Sequence, residues 1–166
     1  AVGDRVIAAG GSGCGSCDAC LSRVGRCARS TAFGLSTQLQ GCQAEFVQVP
    51  NADVTLMKIP DGVSDDQAVL LTDALATAHF GVSRADITPG DRVAVVGLGP
   101  IGLLGIELAF VNGASEVFAI DPVDKRRQQA TALGATAIHP DDARQTIADL
   151  TKRRNVDRVF EASGAR

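Results

Sequence analysis

Residues 93–102, Val-Ala-Val-Val-Gly-Leu-Gly-Pro-Ile-Gly, constrain this chain more than any other stretch. Four apolar, mostly β-branched residues predict a buried strand, and Gly97, Gly99 and Gly102 turn it directly into a helical pattern. The spacing is G-x-G-x-x-G. One glycine makes the tight turn, the next lets the backbone approach a pyrophosphate, and the third lets helix pack closely on strand. Pro100 and Ile101 would stand at the helix N-terminus, where unpaired amides and the helix dipole favour phosphate charge.

The surroundings agree with a dinucleotide site. Pro89-Gly90-Asp91 is a turn before the strand, and Ile101, Leu104, Leu108 and Val111 recur at helical spacing until Asn112-Gly113. A second strand, 117–120, ends on Asp121, 19 residues after Gly102. At that offset a carboxylate can accept hydrogen bonds from adenosine ribose hydroxyls, which favours NAD over NADP. Arg126 and Arg127 would partly offset its charge. The alternative is that Asp121 only caps the next helix.

Four of five cysteines fall in Cys14-x2-Cys17-x2-Cys20-x6-Cys27. Short C-x2-C loops place thiolates on one side of a turn, and four converging thiolates make a closed structural zinc site. Disulfides are the weaker reading, because cysteines so close in sequence pair poorly. The lobe is Gly- and Ser-rich with little apolar content, so its order is expected to depend on the metal. Cys42 is expected to be a free, partly buried thiol.

The 166 residues are 45% apolar, enough for a core, and carry a net charge of −3. No basic patch and no Tyr or Trp suggest nucleic acid. Glycines, Pro100 and Glu107 interrupt the apolar run 93–111, so it does not read as a membrane span, and a cytoplasmic protein is expected. Extended segments are predicted at 5–8, 45–49 and 56–59. Ser64 with Gln67 forms a capping box for a helix that runs, with a break at Asp73, to about Val82. Beyond Asp121 the expected order is helix 125–133, strand 136–138, helix 141–152 with Ile147 and Leu150 inward, and strand 156–161. This alternation predicts a parallel α/β sheet.

In combination, Gly3-Asp4-Arg5-Val6, the four-cysteine lobe, Ala44-Glu45-Phe46, Val49-Pro50, Ile59-Pro60-Asp61 and the glycine-rich segment resemble the zinc-dependent medium-chain alcohol dehydrogenases. These include sorbitol, threonine and secondary-alcohol dehydrogenases. The resemblance covers nearly every residue. Its one visible departure is six residues between Cys20 and Cys27 where seven are usual. It implies a partial Rossmann-type doubly wound sheet over 73–166, an incomplete NAD-binding domain. Residues 1–72 would be the end of a β-rich GroES-like catalytic domain carrying the zinc lobe, 14–27.

The implied activity is zinc-assisted hydride transfer between NAD and a small alcohol or ketone, in a parent that is a homo-oligomer. Within Leu71–Thr77, Asp73 matches the last protein ligand of the catalytic zinc, and Thr77 a threonine near the nicotinamide. The other reading of Asp73 is a helix cap. His79 is expected to be a satisfied, partly buried histidine. The family's first catalytic ligands precede the Gly-Asp-Arg-Val segment, so the chain reads as an internal fragment, inactive by itself. The alternative is a non-catalytic, zinc-stabilised nucleotide-binding or interaction module.

Overall fold

The computed structural model describes residues 1–22 and 26–164, which divide into two units, Ala1–Asp73 and Ala74–Arg166. In the first unit, β1 (Val6–Ala8) pairs antiparallel with β4 (Leu56–Lys58), and β2 (Gly11–Ser12) with β3 (Thr31–Ala32). Between these lie α1 (Asp18–Ser22) and α2 (Ala52–Thr55). Thr55 and Ser12 are buried, with their hydroxyls 2.9 Å apart and each 2.9 Å from the Pro50 carbonyl, so that one hydroxyl donates to the other while its partner donates to that carbonyl.

The capping box forms as its residues require. Gln67 N donates to Ser64 Oγ, and Ser64 N to the Gln67 side chain, opening α3 (Asp65–Leu71). The helical run breaks at Thr72 and Asp73. The expected strand at 45–49 does not form. Alternation alone does not make a strand without a partner to pair with, and Phe46 lies 92% exposed.

The second unit begins with α4 (Ala74–Ala85). It continues through β5 (Arg92–Val96), α5 (Pro100–Val111), β6 (Glu116–Ile120), α6 (Asp124–Ala132), β7 (Thr136–Ile138), α7 (Ala143–Leu150) and β8 (Arg158–Glu161). The strands form one parallel sheet in the order β7-β6-β5-β8, one half of the doubly wound arrangement extended by a fourth strand.

Period-two alternation sorts the side chains. Val93, Val95, Val117 and Ala119 pack with Val82, Ile106, Ala109 and Ala130 of the helices on one face. Ala94, Phe118, Ile120 and Ile138 meet Ala143 and Ile147 of α7 on the other. Phe160 enters a notch between two helices: a Cβ at Gly81 of α4 would lie 2.4 Å from its ring, and one at Gly105 of α5 2.2 Å.

The helix expected up to Asn112-Gly113 forms as α5, which buries Gly102, Gly105, Ile106 and Ala109 and leaves Val111 exposed. Two sequence expectations need correction here. The helix expected from 141 starts with a 3-10 turn, Pro140–Asp142, where His139 Nδ1 accepts from Asp141 N. Leu150 is also exposed, because the inward line runs through Ala143, Ile147 and Thr151 at intervals of four residues.

After α7 the chain turns through Lys152 (φ 52°), Arg153 (φ 62°) and Asn155 (φ 61°). Asparagine tolerates this left-handed region, whereas lysine and arginine pay about 1–2 kcal/mol each. Allowing for the extra freedom glycine gives the unfolded chain, Arg153→Gly is expected to stabilise the protein by about 0.5–1 kcal/mol. Urea denaturation checks this; an unchanged or lowered midpoint contradicts it.

Candidate functional site

The glycine-rich loop leaves β5 with Gly97 at φ 86°. A Cβ there would lie 2.5 Å from the Ser163 backbone, and one at Gly102 would lie 1.8 Å from the Gly97 carbonyl oxygen. Both positions are therefore closed by the protein itself. Gly99 differs: it caps α5 at φ −70°, and a Cβ there meets nothing within 4 Å. The loop thus has an open outer face beside the first turn of α5, whose leading amides have no intrahelical acceptor. Pro100 and Ile101 stand at that turn. This donor set, with a surface clear of side chains, fits a pyrophosphate.

Asp121 follows β6 and is only 2% exposed. Its Oδ2 accepts from Leu98 N (2.8 Å) and Arg126 Nη1 (3.4 Å), and its Oδ1 from Val123 N (2.7 Å). Burial pushes this carboxyl up, but the two amides and the guanidinium outweigh it and hold the group below the usual carboxylate range. Of about four lone-pair positions on a carboxylate, three are occupied. Arg126 is half exposed at the rim, and Arg127 donates to the Asp121 carbonyl (2.7 Å). No local signal marks Leu98 as the donor to one oxygen, since that bond joins residues brought together by sheet formation.

Asp73 and Thr77 are both exposed, in the first and second unit respectively. Asp73 lines a cavity of about 580 Å³ with Val6, Ile7, Phe33, Cys42 and Thr72. His79, on α4, and Cys42, in the irregular segment after β3, are exposed rather than partly buried.

The four sulfurs of Cys14, Cys17, Cys20 and Cys27 lie within 4.8 Å of one another. Cys14–Cys20 is 3.9 Å and Cys17–Cys20 is 3.6 Å, and all five cysteines are free thiols. A tetrahedron with zinc–sulfur bonds of ~2.3 Å has edges of about 3.8 Å, so the set fits a zinc ion. Among the described residues this is the one converging group of three or more metal-ligating side chains; Asp73 belongs to no such group. Residues 23–25 of the shortened loop before Cys27 lie outside the described residues.

Two neighbours of the sulfurs carry no obvious signal in the spacing. Ser16 Oγ donates to Cys14 Sγ (3.7 Å), and Arg29 Nη2 donates to Cys14 Sγ (3.1 Å) and Ser16 Oγ (3.2 Å). The Ser16 amide and hydroxyl draw the Cys14 thiol down to about 5.

A family model for the alcohol dehydrogenase GroES-like domain matches residues 1–61, and one for zinc-binding dehydrogenases matches residues 100–166. The chain is 44% identical, over 98% of its length and 42% of the relative's, to the "Probable zinc-binding alcohol dehydrogenase" of Mycobacterium tuberculosis. Its fold is similar to that of an alcohol dehydrogenase from Thermus sp. ATN1 (TM-score 0.90, 36% identity, 98% of this chain and 50% of that one). It is also similar to an NAD-dependent alcohol dehydrogenase (TM-score 0.79, 28% identity, 96% and 47%). The chain therefore spans about half the length of these proteins.

Proposed function

The chain belongs to the zinc-dependent medium-chain dehydrogenases, and from that premise we propose that it is part of an NAD-dependent oxidoreductase of small alcohols or ketones. The observation that carries the reading is the open face at Gly99 beside the N-terminus of α5. Residues 73–166 form the cofactor half, with the pyrophosphate on Gly97, Gly99, Pro100, Ile101 and Gly102. The adenosine ribose lies at the remaining acceptor position of Asp121, with Arg126 at its rim and Thr77 toward the nicotinamide. Residues 1–72 are the end of the GroES-like domain, whose lobe holds a structural zinc on Cys14, Cys17, Cys20 and Cys27.

In the whole protein, a cytoplasmic homo-oligomer, a catalytic zinc supplies the Lewis acid that polarises the substrate oxygen. Asp73 gives it one ligand. One carboxylate does not complete a site that needs three protein ligands.

A 2′-phosphate would face the Asp121 carboxylate, and like-charge juxtaposition costs several kcal/mol; the Arg126 guanidinium offsets part of this. NADH is therefore expected to bind about tenfold or more tightly than NADPH. Arg126→Ala should widen the gap, because it removes the cation that tolerates the extra phosphate. Calorimetric titration of the chain with both nucleotides tests the proposal. Binding of neither overturns the cofactor reading, while equal affinity removes Asp121 from the discrimination.

A further inference from the structure

We propose that Arg29 is a positioning residue for the four-sulfur centre, orienting the Cys14 sulfur through a guanidinium hydrogen bond and offsetting the excess negative charge of the metal site. The inference rests on the zinc reading above. Four thiolates around a divalent cation leave two negative charges in excess, which favour protonation of a sulfur and loss of the metal. A cation hydrogen-bonded to one sulfur opposes both.

The local fold supplies that cation. Ser30 N donates to the Cys27 carbonyl at 3.0 Å, closing a tight turn of which Arg29 is the third residue. The turn folds Arg29 back over the lobe, where Nη2 meets Cys14 Sγ at 3.1 Å and Ser16 Oγ at 3.2 Å. Ser16 in turn donates to the same sulfur. Cys14 is thus held by an outer layer of donors of the kind that orients metal ligands.

Outer-layer partners typically govern metal affinity by about 10- to 100-fold. Arg29 is exposed, where water and salt weaken a charge interaction, so the effect belongs at the lower end.

The test is the rate of zinc transfer from the 166-residue chain to an excess of chromogenic chelator. Alkylation by iodoacetamide is mapped by mass spectrometry in parallel. Arg29→Met is expected to release zinc about tenfold faster and to make Cys14 the first sulfur alkylated. The difference from wild type should shrink in high salt, which a purely structural role would not produce. Arg29→Lys, which keeps the charge, should recover most of the retention. Ser16→Ala, which leaves the guanidinium in place, should accelerate release less than Arg29→Met. Zinc retained equally by Arg29→Met and wild type overturns this proposal alone. A wild-type chain that takes up no zinc overturns the metal reading and the proposal with it.

Discussion

Gly102→Ala is expected to unfold the second unit at markedly lower temperature and to abolish NADH binding, whereas Gly99→Ala abolishes binding while leaving the fold unchanged. The two substitutions add the same methyl group to the same loop, and their surroundings separate them. At Gly102 the new Cβ lies 1.8 Å from the Gly97 carbonyl oxygen, a backbone atom that no side-chain rotation can move. The helix must then draw away from the loop, at a cost of about 3 kcal/mol or more, beyond the usual range for overpacking. At Gly99 the methyl meets no protein atom, and its backbone is one that any residue adopts. What it fills is the space assigned to the pyrophosphate. Melting curves and NADH titration of both variants check this. Wild-type affinity in Gly99→Ala would move the nucleotide away from the loop, and wild-type melting in Gly102→Ala would mean the contact relaxes freely.

Removal of zinc is expected to dissolve the order of the first unit while the second persists. Among the described residues the buried apolar side chains of Ala1–Asp73 are Leu39 and Ala68, whereas the second unit buries Val93, Val95, Leu98, Ile106, Val117, Phe118 and others. Two small contributions of about 1–3 kcal/mol cannot hold some seventy residues against their chain entropy. A structural zinc supplies on the order of 10 kcal/mol. Hydrogen exchange with and without chelator reads the outcome by segment. Peptides from residues 1–60 should exchange fully in chelator, and those from 92–120 should keep their protection. Cys14→Ser should reproduce the effect without chelator. Unchanged exchange at 1–60 would assign the stability of this unit to its hydrogen bonds instead.

The two halves of the chain differ in how far sequence alone reads them. From Arg92 to Ile138 each element carries its own signal: β-branched runs for the strands, Gly113 and Gly134 in left-handed turns after the helices, and glycines where the backbone closes on itself. Local signal suffices because neighbouring strands in this sheet are mostly neighbours in sequence. Glu45–Val49 shows the opposite case, with the alternation of a strand and no partner to pair with. Asp121 was legible in place but not in orientation. Its direction is set by the amide of Leu98, on a different element, and its remaining acceptor capacity follows from that. The exposure of His79 and Cys42 likewise depends on what lies beside them, which no spacing records. The cysteine pattern indicated which atoms converge, while the arginine that meets them comes from a turn that closes after the last cysteine.

Phe160 in the notch of Gly81 and Gly105 also fixes how far β8 can slide. Its sequence neighbours, Val159 and Glu161, are exposed, and neither has a ring that would fill the space. A shift of one residue would turn Phe160 to the opposite face, and a shift of two would carry the strand about 6.6 Å along the sheet. The turn that presses Ser163 against Gly97 begins only two residues after Phe160. A slip of either kind would lift that turn off the glycine loop. The nucleotide cradle thus takes its alignment from an aromatic ring seated in the core, which acts as the pawl of a ratchet for the loop above it.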